Sequence, residues 1–172
     1  MTRLPFDLHP EYPPEGILRS QLHARYGEGF HERLRQSFAA SGLVYNPPPE
    51  VVPHTLRALR VTEFARECGL HEQVHDRLMR GYWEEARNIG DRDELLTLVV
   101  EAGLDEGRAG AVIDGDAYEG QVRASTNDAQ SFGITGIPAF LLDRRLLVLG
   151  AHRGKSSSRP FGSWCVPAGT VT

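Results

Sequence analysis

The chain predicts an α/β fold that is mostly α by residue count, a succession of short helices closed near residue 132 by one apolar β-hairpin. Two observations carry this expectation. Apolar residues recur at three- and four-residue intervals between Gly, Pro and Asp punctuation from residue 17 to residue 132. Two short apolar runs, Ala139-Phe140-Leu141-Leu142 and Leu146-Leu147-Val148-Leu149, then follow Ile137-Pro138 and flank Asp143-Arg144-Arg145 as a turn. A third, negative observation bounds the fold: the Ser-, Gly- and Pro-rich stretch 153–172 has neither period and is expected to be atypical and disordered.

In chain order, Ile17, Leu18 and Leu22 predict a short helix after Pro13-Pro14, and Phe30, Leu34 and Phe38 a second one ending at Gly42. Asn46-Pro47-Pro48-Pro49 breaks the chain without dividing it into domains, because helical texture resumes at Thr55. Leu56, Leu59, Phe64, Ala65 and Cys68 form the stripe of the next helix, which Gly69 stops. Val74, Leu78 and Tyr82 mark another. Asp91 with Glu94 three residues on resembles a capping box opening the helix of Leu95, Leu98, Val99 and Ala102. Asp105 caps a short helix running through Ile113, and Tyr118, Val122 and Phe132 lie on a last helix whose period blurs between Ser125 and Asp128. The aromatic residues Phe30, Phe38, Tyr82 and Trp83 at helical spacing read as packing residues.

Composition excludes more than it assigns. The 172 residues are 40% hydrophobic and 24% charged, which fits one soluble domain. A formal net charge of -4 disfavours nucleic acid and anionic membrane as partners. No run approaches the roughly 18 apolar residues of a membrane span, and residues 1–16 carry Asp, Glu, His and Pro where a signal core would be apolar, so a cytoplasmic location is expected. Cys68 and Cys165, about a hundred residues apart, make neither a Cys-x-x-Cys nor a disulfide framework, as in a reducing compartment. No cofactor is indicated.

One motif suggests a metal. His71-Glu72-Gln73-Val74-His75 matches His-Glu-x-x-His, in which two histidines one helical turn apart bind zinc and the glutamate acts as general base. A third ligand is missing: position 78 is Leu, no His stands at 81, and Glu94 is already used as a helix-start residue. Cys68 precedes a helix-stopping glycine and need not converge on the histidines. The residues therefore read as a solvated helix face, with a zinc hydrolase kept as an alternative.

The hairpin carries the strongest resemblance. Ser131-Phe132-Gly133-Ile134-Thr135-Gly136-Ile137-Pro138, continued through the strands to Gly150-Ala151-His152, resembles the cis-proline hairpin of thioredoxin-fold proteins. It is most similar to the DsbA-like thiol-disulfide oxidoreductases in their cytoplasmic, FrnE-related branch. Pro5-Phe6-Asp7-Leu8-His9-Pro10 and the segment Leu56 to Ile89, including Phe64-Ala65-Arg66-Glu67-Cys68-Gly69-Leu70 and Tyr82-Trp83, extend the likeness over about residues 4–152. The resemblance implies a thioredoxin-like fold with a helical insertion over about residues 13–132 and a cis-Pro hairpin over about 137–149. It also implies that Ile137 and Pro138 dock an extended or disulfide-bearing peptide, since proline offers no N–H while the backbone of Ile137 can pair at the sheet edge.

Family members begin with a strand, a Cys-x-x-Cys helix and a second strand, and this chain does not contain that segment. The expectation is therefore a partial domain over 1–152 with no catalytic cysteine pair, a truncated member whose tail arises from a shifted reading frame or a fusion. Phe140, Leu142, Leu147 and Leu149 are expected to face the layer that the chain does not encode. An exposed hairpin edge would then promote oligomers or aggregation. Glutathione-dependent isomerases and kappa-class transferases share the helical insertion and hairpin and stand as an alternative, as does a non-catalytic binding remnant.

Overall fold

The computed structural model describes residues 3–26, 29–46, 49–142, 146–149 and 166–167. The elements in chain order are β1 (Ile17–Leu18), α1 (Arg19–Tyr26), α2 (Gly29–Ala40), β2 (Val51–Val52), α3 (Leu56–Glu67), α4 (His71–Trp83), α5 (Arg92–Glu101), α6 (Glu106–Asp114), α7 (Glu119–Ser131), β3 (Ala139–Leu142), β4 (Leu146–Leu149) and β5 (Val166–Pro167). Asp143-Arg144-Arg145, Pro47-Pro48, Gly150-Ala151-His152 and Cys165 lie outside the described residues, as does the 153–172 tail apart from Val166–Pro167.

The core belongs to the helices. α3 packs on α4, α6 and α7, and α5 packs on α4 and α6. Val61, Val74, Leu95, Leu98 and Val99 are wholly buried between them. Each such side chain contributes roughly 1.5–3 kcal/mol by leaving water. Contact is tight where α4 meets α5: a Cβ on Gly81 would stand 3.0 Å from both methyls of Leu98. A side chain at position 81 would therefore have to push Leu98 aside by a few tenths of an ångström.

The helix ends follow local chemistry. Asp91 accepts the N–H groups of Asp93 and Glu94 at 3.0 Å, and Asp105 accepts that of Arg108 at 2.9 Å. The reciprocal half of the capping box is absent, because Glu94 instead accepts from the Asn88 N–H and Arg87. At the other end of α7, Gly133 adopts φ +79° and donates to Gln130 while Ile134 donates to Ala129, a Schellman stop. Gly69 closes α3 in the same way.

Three expectations are corrected. Ile17 and Leu18 form a strand paired with Val52 and Val51, and the helix begins only at Arg19. Two-residue strands have no readable period. The buried face of α3 includes Arg60 and Glu63 beside Ala58, Val61, Phe64 and Ala65, whereas Leu56 and Leu59 are half-buried. Each charge has a partner set. Arg60 donates to the carbonyls of Val112, Gly115 and Ala117 around the end of α6, and burial draws its pKa down against the opposing pull of Glu119 and Asp116. Glu63 accepts from both Nε and Nη2 of Arg66 at 3.0 Å and from Gln121 at 2.9 Å.

The third correction concerns the hairpin. Phe140 and Leu147 do not share one face, because the antiparallel register pairs Phe140 with Val148 and Leu141 with Leu147; the side chains of Leu142 and Leu149 lie outside the described residues. Directly paired residues share a face, so Leu147 lies on the face opposite Phe140. β5 adds a third strand antiparallel to β4, giving the order β3-β4-β5 with β3 at one edge.

The polar middle of α7 has a structural reason. Ser125 donates to the Pro5 carbonyl at 2.7 Å, and Thr126 accepts the Asp7 N–H at 3.0 Å. Arg66 donates to the Arg3 carbonyl at 2.7 Å, and Arg3 pairs with Glu72. The amino-terminal segment is thereby held across α3, α4 and α7.

Candidate functional site

The segment from α7 to β3 is built to present backbone. The Schellman stop turns the chain off α7, and Ile134, 8% exposed, anchors the turn on the core side. Ile137 then stands 60% exposed just before β3, and the Ile137–Pro138 peptide bond is cis. Pro138 immediately precedes β3, where the strand needs no N–H from it. Among the described residues neither the N–H nor the C=O of Ile137 has a hydrogen-bond partner, and β3 pairs with β4 alone. Phe140, 37% exposed, adds apolar surface on the same strand. An exposed edge of this kind can accept an extended chain through main-chain bonds, with side chains selected by neighbouring apolar surface.

The expected site residues Ile137 and Pro138 are thus adjacent and accessible. Cys68 is elsewhere, half-buried at the C-cap of α3, where its backbone N–H donates to Phe64 and Arg66. It is a free thiol without a second described cysteine to exchange with.

The His71-Glu72-x-x-His75 motif is engaged in packing. The two imidazoles stack with centroids 6.1 Å apart and planes within 3°. Nη2 of Arg66 lies 2.7 Å from Nε2 of His71. A guanidinium can only donate, so that nitrogen's lone pair is occupied. The carboxylate of Glu72 faces Arg3; burial works to raise its pKa, and the charge and hydrogen bond of Arg3, with those of His71, together outweigh this and hold it below the ordinary carboxylate value. Burial, with Arg3 and His71 nearby, lowers the pKa of His75 against Asp76 and Glu72. The donor set does not suit zinc: one ligand nitrogen is engaged, the would-be base is ion-paired, and no group of three or more His, Cys, Asp or Glu able to hold a metal occurs among the described residues. Sequence reading missed Arg66, whose reach from α3 to the first residue of α4 is created by the turn at Gly69.

Asp7 is the other unforeseen feature. It is 6% exposed, and its Oδ1 has no partner among the described residues, although its backbone is bonded to Thr126.

Among the described residues no helix is long and apolar enough to cross a membrane. Comparison with known proteins places these features. The chain is 30% identical over 97 residues to the uncharacterized protein YwbO of Bacillus subtilis (strain 168), an alignment covering 55% of this chain and 48% of that protein. It therefore spans about half the length of that curated relative. The crystal structure of a probable DsbA oxidoreductase from Streptomyces coelicolor superposes with a TM-score of 0.78 at 32% identity, covering 86% of this chain and 67% of that one. The DSBA-like thioredoxin domain matches residues 1–158. With the family's domain running through both the helices and the hairpin, the chain belongs to the DsbA-like thioredoxin-domain family.

Proposed function

We propose that this chain carries the substrate-docking part of a thiol-disulfide oxidoreductase, with Ile137 and Pro138 receiving the backbone of an extended, disulfide-bearing peptide. The observation that carries this reading is the exposed Ile137 at the head of an edge strand, its N–H and C=O without described partners. In dithiol exchange a thiolate attacks one substrate sulfur, forming a mixed disulfide, and a second thiol resolves it. The sequence holds Cys68 and Cys165 and no Cys-x-x-Cys. In this reading the chain's own residues hold the substrate strand in place, and the attacking pair belongs to a segment outside this sequence. The wide spacing of the two cysteines supports a reducing, cytoplasmic setting.

The test is binding of a fluorescently labelled extended peptide containing an intramolecular disulfide, followed by anisotropy. Ile137→Val should bind as the parent does. Ile137→Pro removes one donor and should weaken binding about 2- to 10-fold. Equal binding by all three would refute docking at this edge. In an insulin-reduction assay the chain alone should match the uncatalysed rate; catalysis lost in Cys68→Ser would instead assign the reacting thiol to Cys68.

A further inference from the structure

A second surface is independent of the β3 edge. Between α2 and α4 lies an apolar groove of about 430 Å³ lined by Phe38, Leu43, Met79 and Trp83. The floor is aromatic, with the rings of Phe38 and Trp83 5.3 Å apart. Beside it the connection from α2 to β2 projects Leu43 and Val44, 56% and 57% exposed. That connection is fastened to the end of α4: Asn46 donates its N–H to Trp83 at 2.8 Å and its side-chain amide to the Glu84 carbonyl. The surface thus holds both a hollow and an anchored apolar projection, an unfavourable thing to leave in water.

The rim is charged in a pattern that identifies its occupant. Asp76, Arg80 and Glu84 border the groove. They follow one another at four-residue steps, the spacing at which opposite charges pair along a helix. Here they do not: none of the three side chains forms an ion pair or hydrogen bond among the described residues. Arg77 and Arg87, by contrast, are paired to Glu85 and Glu94.

We propose that this groove is the interface between two copies of the chain, related by a two-fold axis that sets their α4 helices antiparallel. A two-fold interface uses the same patch on both partners, so the patch must complement itself. Leu43 and Val44 of each copy fill the hollow of the other. The charge order leaves two complementary registers, and the aromatic floor chooses between them: an axis level with Leu78 would pair Asp76 with Arg80 but leave Trp83 well off the centre, whereas one level with Tyr82 keeps Trp83 beside it. An axis level with Arg80 would set Arg80 against Arg80 and acid against acid. An axis level with Tyr82, midway between Arg80 and Glu84, sets Arg80 of each copy against Glu84 of the other, twice. Two ion pairs then flank an apolar centre, the arrangement of a specific interface.

The test uses the full chain in sedimentation-velocity and light-scattering experiments over a range of concentrations. The wild-type mass should approach twice 19.1 kDa with rising concentration. Arg80→Glu and Glu84→Arg should each weaken the dimer at least about tenfold, because each homodimer would oppose like charges. An equimolar mixture of the two variants should restore it. In the mixed dimer the acid introduced in one chain faces the base introduced in the other, and the unchanged Glu84 of the first faces the unchanged Arg80 of the second. Met79→Glu should dissociate the dimer and resist this rescue. Circular dichroism melting checks that each variant is folded, and Asp76→Asn, away from the pairs, should leave the mass unchanged. A wild-type mass of one chain throughout, dimers that survive both charge reversals, or a mixture that stays monomeric would overturn the proposal. Saturable binding of an apolar helical peptide by a monomeric wild-type chain would overturn it in favour of a different occupant.

Discussion

Arg66 and His71 meet across the turn between α3 and α4, Nη2 of one 2.7 Å from Nε2 of the other. The same guanidinium holds Glu63 and the Arg3 carbonyl, so a metal approaching His71 would have to displace a hydrogen bond that is part of a partly buried network. Dialysis against EDTA should therefore leave the melting temperature and far-ultraviolet dichroism unchanged. Zinc should not raise the melting temperature of the wild type above that of His71→Ala treated identically. Zinc-dependent stabilisation specific to the wild type would reinstate the metal reading of His71-Glu72-x-x-His75.

His75 should make stability pH-dependent in one direction. Burial first, then Arg3 and His71, lower its folded pKa below the ordinary 6.5, while Asp76 and Glu72 oppose them. The unfolded chain then binds more protons than the folded one, so this contribution is complete above about pH 6.5 and is lost as pH falls through the folded value. Urea midpoints measured from pH 7.5 to 5 should decline more steeply for the wild type than for His75→Gln. Parallel profiles would remove His75 as the source.

Arg60 should be among the least replaceable charged residues. Its donors hold three carbonyls near the end of α6. Arg60→Met leaves these acceptors without donors and should cost about 2–3 kcal/mol in chemical denaturation. Arg60→Lys should recover little, since one ammonium cannot reproduce the planar fork that reaches all three. A loss under about 0.5 kcal/mol for either would show that water replaces the guanidinium readily.

Thr126→Val keeps the shape of a buried residue and removes the acceptor of the Asp7 N–H. The expected loss is about 1–3 kcal/mol, with faster amide exchange at Asp7, and Thr126→Ser should recover most of it. Unchanged exchange would mean that the amino-terminal segment is held by Arg66, Glu72 and Ser125 alone.

The helices were legible because their signals are local. Asp91 and Asp105 sit where a side-chain oxygen meets free N–H groups, and Gly69 and Gly133 mark stops that need positive φ. The turn ahead of β3 was legible too, since Gly133 to Pro138 punctuates the chain just before an apolar run. What escaped the sequence depends on distant partners. Arg60 is buried because the end of α6, more than fifty residues away, offers carbonyls to it. Ser125 and Thr126 blur the period of α7 because residues 5 and 7 lie against them. The hairpin face was misassigned at Leu147 because alternation along one strand does not state the register between two.

The bonds from Pro5 and Asp7 to Ser125 and Thr126 join positions 120 and 119 residues apart. During synthesis residues 5 and 7 therefore emerge long before their seat on α7 exists. The cluster of α3 to α6 needs only nearer partners and can assemble beforehand, while the leading residues wait in solution. Fastening residues 5 and 7 becomes a late act of folding, and it sets that segment next to the helix whose end leads into β3.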